Sequence, residues 1–324
     1  MLLALHCIFA VRKSRYITSI SFMRKIALLI ATIVACASTS ASAYDLAVSN
    51  GDGITIYYNF INEGAELEVT RGDAYYEGIV VIPAAVTHDN VTSAVTRIGQ
   101  DAFYDCSSLQ SVTIPNGVTL ISSGAFADCS DLTSVTIPAS VRSIGDEAFS
   151  SCSSLASMTI PVGITSIGES AFAWCSALST VALPDGLTSL GAHAFSECLA
   201  LTTVTIPGSV TSIGSWAFSG CNNLTTVVSL MQEPTALTEA FSVSVLSAAT
   251  LYVPTGTAAK YRAMDGWKDF LHIVDDIPVA VEKVEAAHTP MKVYRMDGRK
   301  VAMMQRGINI VRHPTGVGRK VLMR

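Results

Sequence analysis

The sequence predicts a repeat solenoid, built mainly of short parallel β-strands with short helical turns and followed by a small all-β module at the C-terminus. Three columns of residues predict it. Phe103, Phe126, Phe149, Phe172, Phe195, Phe218 and Phe241 fall 23 residues apart. Cys106, Cys129, Cys152, Cys175, Cys198 and Cys221 keep the same interval, as do Leu109, Leu132, Leu155, Leu178, Leu201 and Leu224. One such unit is too short to bury the apolar surface that would offset the entropy of ordering it, so these units hold their shape only by stacking.

Composition agrees with a chain that has a large interior. Of 324 residues, 50% are hydrophobic and 15% charged, which excludes a disordered chain. At the N-terminus, Met23-Arg24-Lys25, an apolar run over 26–35 and then Ala41-Ser42-Ala43 read as a secretory signal. Cleavage is expected before Tyr44, with translation starting at Met23. Two other readings of residues 1–43 are open: acylation of Cys36 in Ile33-Val34-Ala35-Cys36, and a retained anchor. The Ala-x-Ala site favours cleavage, and the apolar run is shorter than the roughly 20 residues a membrane span needs. Export makes the mature chain secreted or displayed at the cell surface, with no transmembrane span.

Residues 44–97 lack the 23-residue phrase but carry strand signals over 53–58, 66–70 and 78–83, separated by Gly and Asp turns. They are expected to form a β-rich N-terminal cap, because a bare solenoid end exposes apolar side chains and open strand edges. Ile82-Pro83 echoes the Ile-Pro of the repeat and leads into it.

Residues 98–235 hold six units of I-G-x-x-A-F-x-x-C-x-x-L-x-x-V-x-I-P-x-x-V-T-S. A unit of this length carrying L-x-x-V-x-I has the leucine-rich repeat signature. Alternation in that stretch points Val112 and Ile114 inward and Ser111 and Thr113 outward on a short strand. Pro115, Pro138, Pro161, Pro184 and Pro207 lack an amide hydrogen and end it. The stretch G-x-x-A-F-x-x-C has apolar residues at helical spacing and predicts a short helical turn on the opposite flank.

The six aligned cysteines admit two readings. An even number in an exported chain suggests disulfides. Each one, however, takes an inward slot between Phe and Leu, and stacked units would give the column parallel Cβ directions that suit a bridge poorly. A column of free buried thiols is expected, and no metal, because no second ligand type converges on it.

The outward strand positions read Ser111 and Thr113, Ser134 and Thr136, Ser157 and Thr159, Thr180 and Ala182, Thr203 and Thr205. This face of small hydroxyls suits strands that stay soluble and in register, and would also serve an extended docking partner. Trp174, Trp216 and Tyr104 stand at variable positions of the unit, which predicts exposure, as incidental rings or as recognition anchors. The candidate partner-binding residues are therefore Tyr104, Trp174, Trp216, Thr113, Thr136, Thr159 and Thr205. No catalytic residue and no cofactor is expected. His88, His193, His272, His288 and His313 have no nucleophile or carboxylate at a recognisable spacing, and the adjacent Asp146 and Glu147 do not oppose one another across a cleft.

Past 235 the pattern decays. Phe241 keeps its place, Ser244 and Ser247 replace the Cys and Leu, and 257–263 reads as a short helix. Residues 236–276 are expected to form a degenerate repeat and C-terminal cap, with Trp267, Phe270, Ile273 and Val274 over the open end. A linker, 277–290, leads to a basic module, 291–324, with strands on both sides of Asp297-Gly298 and again at 307–311 and 319–322. Residues 44–290 hold 25 Asp and Glu against 7 Lys and Arg, a net of −18, whereas 291–324 hold 9 Lys and Arg against Asp297, a net of +8. The acidic body would repel phosphate backbones, which argues against nucleic-acid binding.

The units, 144–161 for example, resemble the BspA-type leucine-rich repeat proteins of bacterial cell surfaces, over about 80–274. The resemblance implies a non-enzymatic protein binder or adhesin for host matrix proteins or neighbouring cells, without fixing a ligand-contacting residue. A structural spacer or self-assembling surface subunit is the other reading. The tail looks like the C-terminal modules of secreted Bacteroidetes proteins, some of which act as sorting signals, which implies outer-membrane attachment.

Overall fold

The computed structural model describes residues 44–277 and four strands between 292 and 323. Residues 1–43, where a signal was expected, with Met23 and Cys36, residues 278–290 of the expected linker, Asp297-Gly298, where a turn was expected, His288 and His313 lie outside the described residues.

Each unit contributes a strand to each of two parallel ladders. One ladder begins in the N-terminal segment, where β1 (Leu46–Ser49), β2 (Thr55–Ile61) and β3 (Glu66–Thr70) pair antiparallel in that order. β3 then runs parallel to β6 (Val91–Ile98), which also pairs with β5 (Ala85–His88) through a two-residue hairpin at Asp89 and Asn90. Both turn residues have positive φ, 50° and 62°, the requirement of a hairpin turn whose twist matches its strands. From β6 the ladder continues through β8 (Leu120–Ile121), β10 (Ser143–Ile144), β12 (Ser166–Ile167), β14 (Ser189–Leu190) and β16 (Ser212–Ile213). Ile98, Ile121, Ile144, Ile167, Leu190 and Ile213 stand in register along it.

The second ladder is formed by the L-x-x-V-x-I strands. β4 (Gly78–Val81), β7 (Leu109–Thr113) and β9 (Ser134–Thr136) make a three-stranded sheet. β11 (Ser157–Thr159), β13 (Thr180–Ala182), β15 (Thr203–Ile206), β17 (Thr226–Ser229), β18 (Thr250–Tyr252) and β19 (His272–Val274) make a six-stranded one. The expected unbroken face is thus divided between β9 and β11. The break coincides with Met158, the one methionine in a column otherwise of Val112, Val135, Val181, Val204 and Val227.

The expected helical turns are single turns. Tyr104 N–H donates to Asp101 C=O and Cys106 N–H to Phe103 C=O, three residues back in each case, while the residues between them reach the next unit: Phe103 N–H to Ala125 C=O at 2.8 Å and Asp105 N–H to Ala127 C=O at 2.9 Å. Half of the donors bind within the turn and half between turns, so no continuous helix forms and each turn is tied to its neighbour.

Inside, the columns are straight. Consecutive rings from Phe103 to Phe241 stack at 4.8, 5.0, 5.3, 5.2, 5.6 and 5.2 Å between centroids, with planes within 11°. Tyr76 extends the column before Phe103 at 4.4 Å, and Trp267 and Phe270 close on Phe241 at 6.0 and 5.2 Å. At that end the buried Thr235 Oγ1 has no hydrogen-bond partner, whereas the ring donors do. Trp267 Nε1–H donates to Thr235 C=O and Tyr261 O–H to Met231 C=O. Ile273 packs against the core, and Val274 is 39% exposed. α1 (Val243–Ala248) and α2 (Ala258–Ala263) are the helices of this region, and Asp275 Oδ1 accepts from the amides of Gly256, Thr257 and Ala258 ahead of α2. In the C-terminal module, β20 (Lys292–Arg295), β21 (Lys300–Val301), β22 (Gly307–Arg312) and β23 (Gly318–Met323) form an antiparallel sheet in the order β21-β20-β22-β23.

The six cysteines are free and buried. From the second unit on, each thiol donates to the carbonyl of the phenylalanine in the preceding unit, at 3.1–3.2 Å (Cys129 to Phe103, Cys152 to Phe126, Cys175 to Phe149, Cys198 to Phe172, Cys221 to Phe195). The side chain is therefore both a small apolar filler and a weak donor. Burial pushes the Cys106 thiol up to about 11 and holds those of Cys129 and Cys152 well above the usual thiol range. For Cys198 the contact with Cys221 acts first and burial second, in the same direction.

These thiols ionise later in the fold than in the unfolded chain, where thiols titrate near about 8.5. Their contribution to stability is thus complete below that pH and is lost as pH rises through the folded values. The urea midpoint is expected to fall steadily from about pH 9 to about pH 11. A midpoint that holds level across that window would contradict a dry thiol column.

Candidate functional site

The outer surface of the turns is shaped by two left-handed columns that flank the buried phenylalanines. Two residues before each Phe, φ is positive at Asp101, Gly124, Glu147, Ser170, His193, Trp216 and Glu239; two residues after, at Asp105, Asp128, Ser151, Trp174, Glu197 and Gly220. Asp, Ser and Gly suit such positions, whereas a bulky side chain there costs about 1 to 2 kcal/mol. Glu147, His193, Glu197 and Glu239 depart from those types, and Trp174, at φ 63°, and Trp216, at φ 57°, are the largest side chains to do so. The part of each indole that is covered offsets that cost at about 25 cal/mol per Å², so strain by itself is no sign of function. Exposure is the better sign: Trp174 is 58% exposed, Trp216 45% and Tyr104 39%.

The seven candidate residues fall on two separate surfaces. Tyr104, Trp174 and Trp216 lie on the turn face. Thr113, Thr136, Thr159 and Thr205 lie on the strand face, where Thr113 pairs in register with Thr136, Thr159 with Ala182, and Thr205 with Val228. Thr113, Thr136 and Thr159 are exposed; Thr205 is half-buried and offers less than its position in the repeat suggests. The sheet break between β9 and β11 separates the first two from the others.

Each ring on the turn face has its own surroundings. The Arg71 guanidinium lies 5.9 Å from the Tyr104 ring, and the charge of Asp128 beside it raises the phenol pKa. Trp216 packs against His193 of the preceding unit, 5.0 Å between centroids with the planes tilted by 43°, and its backbone N–H donates to Glu239 C=O at 3.0 Å. Trp174 stands in the other left-handed column, with its N–H donating to Ser196 C=O at 2.8 Å. From 98 to 259 the chain carries eleven Asp and Glu and a single base, Arg142. Eight of the eleven, Asp101, Asp105, Asp128, Asp146, Glu147, Glu169, Glu197 and Glu239, belong to the turn segments, which are therefore acidic while the strand face is uncharged.

Many hydroxyls in the array turn out to serve stacking. Thr188 Oγ1 donates to Thr165 C=O at 2.8 Å, Thr211 to Thr188 at 3.1 Å, Thr133 to Gln110 at 3.1 Å and Ser179 to Ala156 at 3.1 Å, each one unit back. Sequence reading passed over these residues, although their recurrence at the repeat interval is the signal for them. Among the described residues no group of three or more His, Cys, Asp or Glu could hold a metal ion, and no helix is long and apolar enough to cross a membrane.

A groove of about 560 Å³ lies at the C-terminal end of the turn face, with Trp216 on its rim. It forms where the repeat pattern fails: the missing Cys and Leu are replaced by α1, and residues 266–269 return against it. No local signal announces this meeting of segments.

Three solved structures are similar to parts of this chain. A leucine-rich cell surface protein from Faecalibacterium prausnitzii A2-165 is 26% identical, covering 65% of this chain and 71% of that one, with a TM-score of 0.46. The T. pallidum leucine-rich repeat protein is 24% identical over 68% of this chain and 79% of its own, with a TM-score of 0.40. A leucine-rich repeat protein from Bacteroides ovatus ATCC 8483 is 18% identical over 72% and 89%, with a TM-score of 0.26. No curated protein matches the sequence. The BspA type leucine rich repeat region matches in six copies across residues 85–175 and 146–254. With more than half of its length in that match, the chain belongs to the BspA-type leucine-rich repeat family.

Proposed function

We propose that the chain is a non-enzymatic, exported binding protein that docks another protein at the bacterial surface, a host matrix protein or the surface of a neighbouring cell. The observation that carries this reading is the set of exposed rings Tyr104, Trp174 and Trp216 on one acidic face of a scaffold whose interior is occupied by stacking. Large, stiff rings on a rigid support lose little entropy on binding and form the usual anchors of a protein interface. The repeat family supports the class, and the leader read in residues 1–43 supports export. On this reading residues 44–97 and 236–276 act as caps, and 291–324 directs attachment to the outer membrane.

The test is saturable binding of the full mature chain to immobilised matrix proteins and to whole cells. Binding is expected, and is expected to weaken at least about tenfold when Trp174→Ala and Trp216→Ala are combined. Absence of binding to any of them, together with a hydrolytic activity, would overturn the proposal. The uncharged strand face with Thr113, Thr136 and Thr159 favours a second reading, a self-assembling surface subunit; concentration-dependent self-association lost on Thr136→Lys would select it.

A further inference from the structure

The groove beside Trp216 has the chemistry of a docking site for one kind of partner. Its floor includes Phe241 and Leu246, and its rim carries two apolar side chains turned to solvent, Trp216 at 45% exposure and Val243 at 81%. Val243 opens α1, a position where a polar or acidic residue would serve the helix better. A solvated valine there, next to a half-exposed indole, leaves apolar surface uncovered. The volume lies within the range of small ligand sites, enough for a few side chains of a peptide.

Charge selects the occupant. Glu239 and Asp269 are the charged residues lining the groove, and both are exposed. The closest base in sequence, Lys268, is tied to Asp265 at 2.6 Å, so its charge is balanced outside the groove. Besides Glu239, the array leading up to the groove adds ten acids against Arg142. An anionic partner is repelled, a cationic one is drawn in, and the apolar floor retains it.

We propose that this groove binds a polypeptide segment in which a lysine or arginine stands beside an aliphatic residue. The cation pairs with Glu239 or Asp269 and lies against the Trp216 ring, and the aliphatic side chain covers Val243 and Leu246. Trp216 is prepared for this: His193 supports its ring at 5.0 Å and its backbone is fixed by the bond to Glu239. Exposed carboxylates add mainly steering and specificity, so most of the affinity comes from the ring and the floor. The inference rests on the protein-binding reading above and gives it a site and a partner chemistry.

The test uses the full chain and a short fluorescein-labelled peptide of alternating Lys and Val, followed by fluorescence anisotropy. Saturable binding is expected, and a Glu-Val peptide and a Lys-Ser peptide are each expected to bind at least about tenfold more weakly. Trp216→Ala is expected to weaken Lys-Val binding about tenfold. Val243→Ser, at a site too exposed to endanger the fold, is expected to weaken it in the same direction. Glu239→Gln with Asp269→Asn should reduce binding and flatten its salt dependence. Asp131→Asn with Asp185→Asn, an equal change of charge away from the groove, should leave it unchanged. Equal loss in both charge pairs, or full binding by Trp216→Ala and Val243→Ser, would overturn the assignment. If the chain binds matrix proteins or cells but Trp216→Ala leaves that intact, the groove assignment fails and the protein-binding reading stands. If it binds none of them, the reading itself fails.

Discussion

Phe172→Ala is expected to destabilise the protein by about 3 to 5 kcal/mol, the upper range for removing a buried side chain. The ring is fully buried and lies between two others, 5.3 Å from Phe149 and 5.2 Å from Phe195, with planes 4° and 3° from parallel. Its loss removes contacts from both neighbours, and the backbone bonds of the turn hold the units too closely for the gap to collapse. For a body of this size the melting temperature should fall on the order of 10 °C. Phe241→Ala, at the end of the column, should cost less, because Trp267 and Phe270 reach its ring at an angle and offer only one stacked face, that of Phe218. Thermal and urea unfolding of the two variants measure the difference. A cost below about 1 kcal/mol at Phe172 would mean that the rings are not the interior on which the stack depends.

Gly191→Val is expected to be about as damaging, for a different reason. A Cβ at Gly191 would stand 2.5 Å from Glu169 N and 2.5 Å from Gly168 C, both backbone atoms of the preceding unit. The same holds at Gly168 and Gly214, where the nearest backbone atoms lie at 2.5 and 2.3 Å. These glycines mark a line where neighbouring units touch main chain to main chain, and Gly191 N–H donates there to Ile167 C=O at 2.9 Å. A branched side chain must push two units apart and break that bond, at a cost of about 3 kcal/mol or more. Ser122 holds the corresponding position in the second unit, so one Cβ can be absorbed near the N-terminal end, next to Gly99. At Gly191 both neighbours in the column, Gly168 and Gly214, are under the same constraint. Urea unfolding of Gly191→Val and Gly191→Ala checks this; wild-type midpoints for both would show that the units stand further apart than the glycines imply.

What could be read from the sequence was whatever the repeat states many times. The Phe, Cys and Leu columns recur at one interval, and each position repeats the same environment, so the inward set and the L-x-x-V-x-I strands could be named residue by residue. Features stated once or in two residues were missed. The Ser-Ile strands, such as Ser143–Ile144 and Ser166–Ile167, are too short to show a period of two. The hairpin at Asp89 and Asn90 did carry a local signal, two adjacent residues that tolerate positive φ, and was read as part of a general cap. The turns were expected to be helical from apolar spacing alone; the left-handed residues that prevent a helix are visible in the recurrence of Asp, Ser and Gly around Phe, once one asks why those types return.

The candidate site was half legible. Exposure of Tyr104, Trp174 and Trp216 followed from their variability among units, and the structure agrees. That they share a face distinct from the threonines required the path of the chain in space. The groove depends on Trp216, Val243 and Asp269, which come from three segments brought together only by the failure of the pattern after Phe241.

The stacking of whole units in phase is tested most directly by two deletions in the middle of the array, compared by urea unfolding with circular dichroism. Removing residues 146–168, one full unit, joins Gly145 to Glu169 in the same phase and leaves every column continuous. A single steep transition at slightly lower stability is predicted, since one interface is lost and all others are kept. Removing residues 146–157 puts the downstream rings out of line with Phe126, and loss of the cooperative transition is predicted. If the two shortened chains unfold alike, whether both cooperatively or both without a transition, the units do not depend on register and the account is contradicted.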